Sequence, residues 1–314
     1  NILHINYNEI DVIRKQNYNQ NRKKLLNFRK NNRTSPHKDK KILTDWNGLM
    51  ISSLAKGGRL LQNQKYLKMA EITVDFIEKN LFNENGTLLH CYIEDEKTGV
   101  GNLDDYSFLV KGLIDLYEAT FKIKYLKLAI KITDQMIEQF WDEKDSGFYF
   151  ASKHNTDLIV RNKKIYDGSI PSGNSICMLN LLKLFFITQD KIYENKLRKN
   201  SQIYMSRVEE SPLSYLQFLI YWDYINTNFY NIIIVGNRQD KNNLEMLYLL
   251  RKNYIPNKVV VFKPTDDKKE QKEILNVLPH LKNYDPINNR TTAYICEDFN
   301  CKPPITNPDK LKKF

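Results

Sequence analysis

One block of sequence occurs twice. Lys65-Tyr66-Leu67-Lys68-Met69-Ala70 returns as Lys124-Tyr125-Leu126-Lys127-Leu128-Ala129, 124 − 65 = 59 positions later. The same offset carries Leu81-Phe82 onto Phe140-Trp141 and Asn83 onto Asp142, so the likeness persists through a whole helix and its exit. A Gly-containing turn and a short alternating segment follow each exit, Gly86 to Tyr92 and Gly147 to Ala151, and predict small hairpin strands. Upstream of each copy lies a second amphipathic segment, Ile42 to Leu61 and Asp105 to Thr120, apolar at i, i+3, i+4 and i+7. Ser172-Gly173-Asn174-Ser175 opens a third helix running to about Ile187, and Ile192-Tyr193 starts its partner. Helix, turn, helix and decorated loop thus recur about every 60 to 70 residues, the signature of stacked repeats. Such hairpins bury their apolar faces only against neighbours, which dictates a ring or superhelix.

The pattern changes near Asn231. Ile232-Ile233-Ile234-Val235-Gly236 reads as a buried strand, Asp240 to Lys252 as a helix and Val259-Val260-Val261-Phe262 as a second strand, one β-α-β unit with parallel pairing. A lone Gly236 falls short of a dinucleotide fingerprint, so the tail is taken as structural. The expected fold class is mainly α. An (α/α) toroid of helical hairpins occupies residues 1–229, and a small C-terminal α/β subdomain with its tail occupies 230–314.

Several function classes are excluded by composition. A chain of 314 residues with 41% hydrophobic content can bury a large core. It contains no apolar run of the ~20 residues a membrane helix needs, and its first residues lack a basic segment followed by an apolar one. A cytoplasmic protein with no membrane association is expected. The net charge of +11 is spread along the chain, and clusters such as Arg22-Lys23-Lys24 read as solvated faces, so no nucleic-acid partner is expected. Four cysteines are too few and scattered for a disulfide framework, and a reducing compartment fits. Cys296 and Cys301, without a second Cys or His pair nearby, make a poor zinc site. Neither a metal nor a cofactor is expected. The chain begins at Asn1, which suggests a fragment or processed product.

Three polar motifs stand at equivalent places, each at the start of a unit's first helix. They are Thr44-Asp45-Trp46-Asn47-Gly48, Leu103-Asp104-Asp105-Tyr106 and the stretch from Asp167 to Ser175. In a closed toroid these starts converge on one rim and gather carboxylates, amides and aromatics around a sugar-sized pocket. Adjacent Asp104 and Asp105 feel a helix N-terminus that favours ionisation and a neighbouring charge that opposes it. Their pKa values could separate into an acid and a base or nucleophile, the division used in glycoside chemistry. Equally, they could be an N-cap and a first-turn charge. Asp167 precedes a Gly- and Pro-containing turn and is the third candidate for a catalytic or electrostatic role. Asp45, Trp46, Asn47, Tyr106, Ser172 and Asn174 are the candidate sugar contacts, with Ser172 also readable as an ordinary helix cap. Of the five histidines, His37 lies just before the first inner helix and His90 in a decorated loop; either could be a proton shuttle or an ordinary surface histidine, and His37, alone near a helix-start motif, joins the candidates.

These motifs carry a resemblance. Pro36-His37-Lys38-Asp39, Lys41 to Ile51, Leu103-Asp104-Asp105-Tyr106, Tyr166 to Ser175 and Cys296-Glu297-Asp298-Phe299-Asn300-Cys301-Lys302-Pro303-Pro304 resemble the YyaL and spermatogenesis-associated protein 20 family of thioredoxin-domain-containing proteins. The resemblance implies a six-hairpin barrel similar to N-acylglucosamine 2-epimerases and several glycosidases. It further implies that Asp45, Trp46, Asn47, Asp104, Asp105, Tyr106, Asp167, Ser172 and Asn174 line its pocket. Lys40 departs from the acidic residue the family commonly carries after Asp39. The chain resembles only the C-terminal part, so a thioredoxin-like domain or a second chain is expected to complete the barrel. An uncompleted barrel should expose an apolar face. The function implied is an epimerase, isomerase or glycoside hydrolase acting on a sugar. The alternative is a non-catalytic binding or scaffold module that serves a thioredoxin-like partner domain.

Overall fold

The computed structural model describes residues 12–313, except Asp157. Contacts divide the chain into two compact units, Asn1–Lys40 and Lys41–Phe314. In the first, α1 (Val12–Asn32) is a polar helix whose last turn carries Arg29 and Lys30, cations suited to the partial negative charge of a helix C-terminus. His37 belongs to this unit and is exposed.

The second unit is built on three helical hairpins among the described residues, the arrangement of an (α/α) toroid. These are α2 (Thr44–Leu60) with α3 (Gln64–Asn80), α4 (Leu103–Thr120) with α5 (Ile123–Phe140), and α6 (Gly173–Thr188) with α7 (Lys191–Glu210). The repeated blocks form α3 and α5, amphipathic helices that bury one stripe each. Inner helices have no such freedom. From Leu103 to Ala119 every residue of α4 except Lys111 is buried, and α6 is apolar round its circumference, because both are covered on all sides. Helices α2 and α4 cross at backbone contact. A Cβ on Gly48 would lie 2.5 Å from the Phe108 carbonyl carbon, and one on Gly112 would lie 2.6 Å from the Gly48 carbonyl oxygen. Helices α2 and α3 leave Met50, Met69 and Ile72 exposed.

Two local expectations change. Ile42 and Leu43 do not start α2. They form β1 (Ile42–Leu43), which pairs antiparallel with β2 (Leu89–Ile93), itself paired with β3 (Glu96–Val100). Extended Leu43 precedes the helix, and Thr44 Oγ1 donates to the Leu89 carbonyl 2.6 Å away, pinning the helix start to β2. The second expected hairpin, at Gly147 to Ala151, is reduced to a bridge between Trp141 and Phe148, because Phe150 N–H turns to the Asn162 carbonyl of the following loop.

After α8 (Leu216–Asn226) comes the α/β part. β4 (Tyr230–Gly236), α9 (Lys241–Lys252) and β5 (Lys258–Pro264) form the expected parallel unit, with Ile232 opposite Val260. Beyond α10 (Lys268–Val277), β6 (Thr292–Glu297) adds antiparallel to β4 and β7 (Asn300–Cys301) closes the order β5-β4-β6-β7. This sheet is bound to the helices. Phe229 stacks on Phe186 at 4.3 Å between ring centroids, and Val260 N–H donates to Glu118 of α4 at 3.1 Å. Cys296 and Cys301 are directly opposed in the β6–β7 hairpin and joined as a disulfide, a pairing their spacing alone did not suggest. Its turn, Asp298-Phe299, has positive φ at both residues, the backbone that lets a two-residue hairpin match strand twist. Among the described residues no helix is long and apolar enough to cross a membrane.

Candidate active site

The starts of α2, α4 and α6 meet through two carboxylates. Asp105 Oδ1 accepts the Asp45 N–H at 3.0 Å, tying α4 to α2, and Asp104 Oδ1 accepts the Gly173 N–H at 2.8 Å, tying α4 to α6. The cap of α4 explains how adjacent aspartates point to different neighbours. Asn102, which the sequence reading passed over, accepts from the Asp104 and Asp105 amides, and Asp105 Oδ2 accepts the Asn102 N–H at 2.8 Å in return. This reciprocal cap holds Asp105 on the α2 side and leaves Asp104 to face α6.

His90, a possible proton shuttle by sequence but not among the candidate site residues, stands beside these carboxylates. It stands on β2, which β1 holds beside the start of α2, and its Nδ1 lies 3.0 Å from both oxygens of Asp105. A carboxylate that otherwise accepts only amides fixes Nδ1 as the proton-bearing nitrogen and leaves Nε2 as the basic one. The His90 side chain is 34% exposed whereas Asp105 is fully enclosed. The Asp105 hydrogen bond raises the pKa of His90 above its usual value, against the opposing effect of burial. Burial raises Asp105 to about 6, against the pull of His90. Burial also raises Asp104 to about 6, against a more distant Lys164 and the Gly173 amide. Asp45 is raised by burial as well. The site therefore gathers an imidazole whose pKa is raised by its carboxylate partner and two buried acids raised to about 6, a set of perturbed groups of the kind that proton-transfer sites contain.

The other candidates fall in different settings. Asp167 accepts the Ser172 N–H through Oδ1 and the Gln217 and Phe218 N–H groups through Oδ2, so it caps α8 and shapes the entry to α6. Ser172 is the N-cap of α6 and is buried. Asn174 is fully buried and bonds to the Phe148 and Lys164 carbonyls. Tyr106 is fully buried, donating to Gln139 and accepting the Leu88 N–H. Asn47 donates back to the Leu43 carbonyl. Trp46 is 60% exposed at the start of α2, next to Asp45. His37 belongs to the other unit.

Among the described residues, Asp45, His90 and Asp105 each bring one ligand atom within 4.8 Å of the others and could hold a metal ion. Doing so would require the cation to replace the Nδ1 proton and to compete with the Asp45 and Asn102 amides for Asp105.

No family model matches the chain. Spermatogenesis-associated protein 20 of Homo sapiens is 31% identical over 310 residues, covering 94% of this chain and 38% of the relative. The chain thus spans about two-fifths of the length of the curated relatives it matches. Among solved structures, a cellobiose 2-epimerase from Bacillus thermoamylovorans superposes with a TM-score of 0.47 at 10% identity, covering 85% of this chain and 68% of the other. A family 76 α-mannanase of Bacteroides thetaiotaomicron superposes with a TM-score of 0.42 at 20% identity, over 53% of this chain and 45% of that one.

Proposed function

Because the chain belongs to the spermatogenesis-associated protein 20 family over the part that it matches, we propose that it is a carbohydrate-active barrel that performs acid–base chemistry on a sugar. The observation that carries this reading is the His90–Asp105 pair beside Asp104: a half-exposed imidazole oriented by an enclosed carboxylate, next to a buried acid whose pKa is raised to about 6. His90 Nε2 takes or delivers the substrate proton, Asp105 orients the ring, and Asp104 is the second acid or base. An imidazole raised by its carboxylate partner and an acid raised to about 6 suit an epimerase or isomerase. One removes a proton beside a carbonyl and the other returns one to the opposite face, leaving the sum of protons unchanged. The hydrolase version assigns Asp104 and Asp105 the two carboxyl roles, and it is weaker because Asp105 is engaged by two amides and an imidazole. Exposed Trp46 offers a flat apolar face for a sugar ring. Asp167, Ser172 and Asn174 shape the rim through backbone contacts.

The test is exchange. The chain is incubated in deuterium oxide with a panel of reducing mono- and disaccharides, and proton NMR follows the loss of sugar C–H signals. Exchange that disappears in His90→Gln and drops at least about a hundredfold in Asp104→Asn supports the assignment, general acid–base groups contributing about 10²–10⁴-fold. No exchange with any sugar, together with no ligand-induced rise in melting temperature, sinks it.

A second reading is favoured by one observation: Asp105 and Asp167 direct their oxygens to amides of the protein itself. In that reading the motifs are caps, and the barrel is a binding or scaffold module for a thioredoxin-like partner domain. It predicts that His90→Gln and Asp104→Asn change stability and leave sugar binding absent throughout.

A further inference from the structure

A second cavity, of about 410 Å³, opens between the C-terminal halves of α2, α4 and α6, the end of α9 and the segment leading into β5. It lies far from His90. Asp105 and Asp115 are ten residues apart on α4, which at 1.5 Å per residue puts the two regions about 15 Å apart along the helix. Its volume falls in the range of about 300–1,000 Å³ typical of small-molecule sites. Seven basic side chains line it against two carboxylates, Asp115 and Glu118.

Those two carboxylates are already committed. Asp115 Oδ2 accepts from Ser52 Oγ at 2.6 Å and pairs with Lys111 at 3.1 Å and Lys56 at 3.3 Å, while Oδ1 pairs with Lys183 at 3.2 Å. Glu118 pairs with Lys183 at 3.0 Å and accepts the Val260 amide through its other oxygen. Among the described residues, no carboxylate pairs with Arg59, Arg251 or Lys258. Lys258 Nζ reaches only the Ile255 carbonyl, and Arg59 Nε is buried with no hydrogen-bond partner. The imbalance shows in their chemistry. Burial and the neighbouring Arg59 push Lys258 down to about 8 and also lower Arg251. Burial, offset in part by Asp115, takes Lys111 to about 8. A cluster of partly buried cations short of counter-charge is stabilised by a ligand that supplies two or more negative charges.

We propose that this cavity is a binding site for a phosphate-bearing small molecule. Arg59 and Arg251 supply the forked donors, and Lys258 and the lysines gathered by Asp115 supply the surrounding positive field. The proposal stands apart from the sugar chemistry assigned to His90, because no residue is shared between the two regions.

Isothermal titration of the chain with inorganic phosphate and with pyrophosphate tests it. Saturable binding is expected, tighter for pyrophosphate, and weakened at least tenfold by Arg59→Gln and by Arg251→Gln. Lys191→Gln, which removes one charge from an exposed position, should leave it unchanged. Lys258→Gln provides a third variant should either arginine substitution impair folding, which circular dichroism would show. Absence of saturable binding, heats reproduced by sodium chloride at matched ionic strength, or affinity indifferent to all three cavity variants would overturn the proposal.

Discussion

Helix α4 carries buried carboxylates at both ends, and the two ends respond to burial in opposite ways. At its start, Asp104 and Asp105 are pushed up to about 6, because little positive charge reaches them beyond Lys164 and a half-exposed His90. Three turns on, Asp115 is as deeply buried and is held well below the ordinary carboxylate range, because Lys111, Lys183 and Lys56 surround it. Desolvation raises all three acids, so the neighbouring cations decide the sign. One end of the helix holds two acids raised to about 6, poised for the proton transfer proposed above. The other is locked as a structural ion cluster whose surplus charge faces a cavity.

Breaking the locked end should have the largest effect. Asp115→Ala leaves three lysines facing one another without their anion, and removal of one partner from a buried ionic network costs about 3–5 kcal/mol. Chemical denaturation should show that loss. A loss under about 1 kcal/mol would mean that the lysines are solvated and the contrast is false. The pH dependence follows: a depressed folded pKa contributes stability that is present above the unfolded value of 3.8 and is lost as pH falls through the folded value.

The poised end should do the reverse. Raised folded values for Asp104 and Asp105 contribute stability that is complete below 3.8 and lost as pH rises through about 6. Asp104→Asn removes the ionising group and keeps an oxygen for the Gly173 amide, so at pH 8 it should stabilise the protein by roughly 2–3 kcal/mol while slowing the proposed proton exchange on a sugar at least about a hundredfold. At pH 4 the gain should vanish. Thermal melts of the variant at both pH values decide it, and a variant less stable than the parent at pH 8 would show that the carboxylate is compensated after all.

The hairpin plan was legible because it rests on local signals: a repeated Lys-Tyr-Leu-Lys block, helical periodicity and start motifs. The parallel pair β4 and β5 was legible as two runs of β-branched residues around an amphipathic helix. The site was legible only where it lies on helix starts. Asp104, Asp105 and Asp45 could be placed together from the repeat, whereas His90 reaches them through the pairing of β1 with β2, a contact across nearly fifty residues that periodicity cannot encode. His90 itself, in the decorated loop between α3 and α4, was the available signal, readable as a proton shuttle but not as a neighbour of Asp105. His37 was favoured by closeness in sequence to the α2 motif, and closeness in sequence did not place it in the same unit. The ion cluster was invisible for a different reason. Lys56, Lys111, Asp115 and Lys183 look like ordinary helix-surface charges until three helices turn them toward one point.

His90 sharpens the comparison at lower energy. Its folded pKa is raised, so its contribution to stability is complete below about 6.5, the usual unfolded value, and is lost as pH rises through the folded value. A third of its side chain meets water, which screens the pair, so the contribution is expected to stay under about 1 kcal/mol. His90→Gln should therefore lower the melting temperature most at pH 5, where the contribution is complete, and progressively less as pH rises above 6.5, which removes the parent's shallow decline. An equal shift at both pH values would assign His90 a packing role.

The smallest expected effect separates proton chemistry from metal chemistry at the same residues. Asp45, His90 and Asp105 lie close enough to share a cation, yet the arrangement is already satisfied by protons: Nδ1 donates to Asp105, and the Asp45 and Asn102 amides occupy both carboxylate oxygens. A divalent ion would gain three ligands and break three hydrogen bonds, one of them to the cap that starts α4. Neither 1 mM EDTA nor added Mg²⁺, Mn²⁺ or Zn²⁺ should shift the melting temperature by more than about 1 °C, since one bound ion at a hundredfold its dissociation constant would add about 2.7 kcal/mol. A saturable rise of several degrees that is lost in His90→Gln would convert the orienting carboxylate into a ligand, and the poised end of α4 would then be a metal centre.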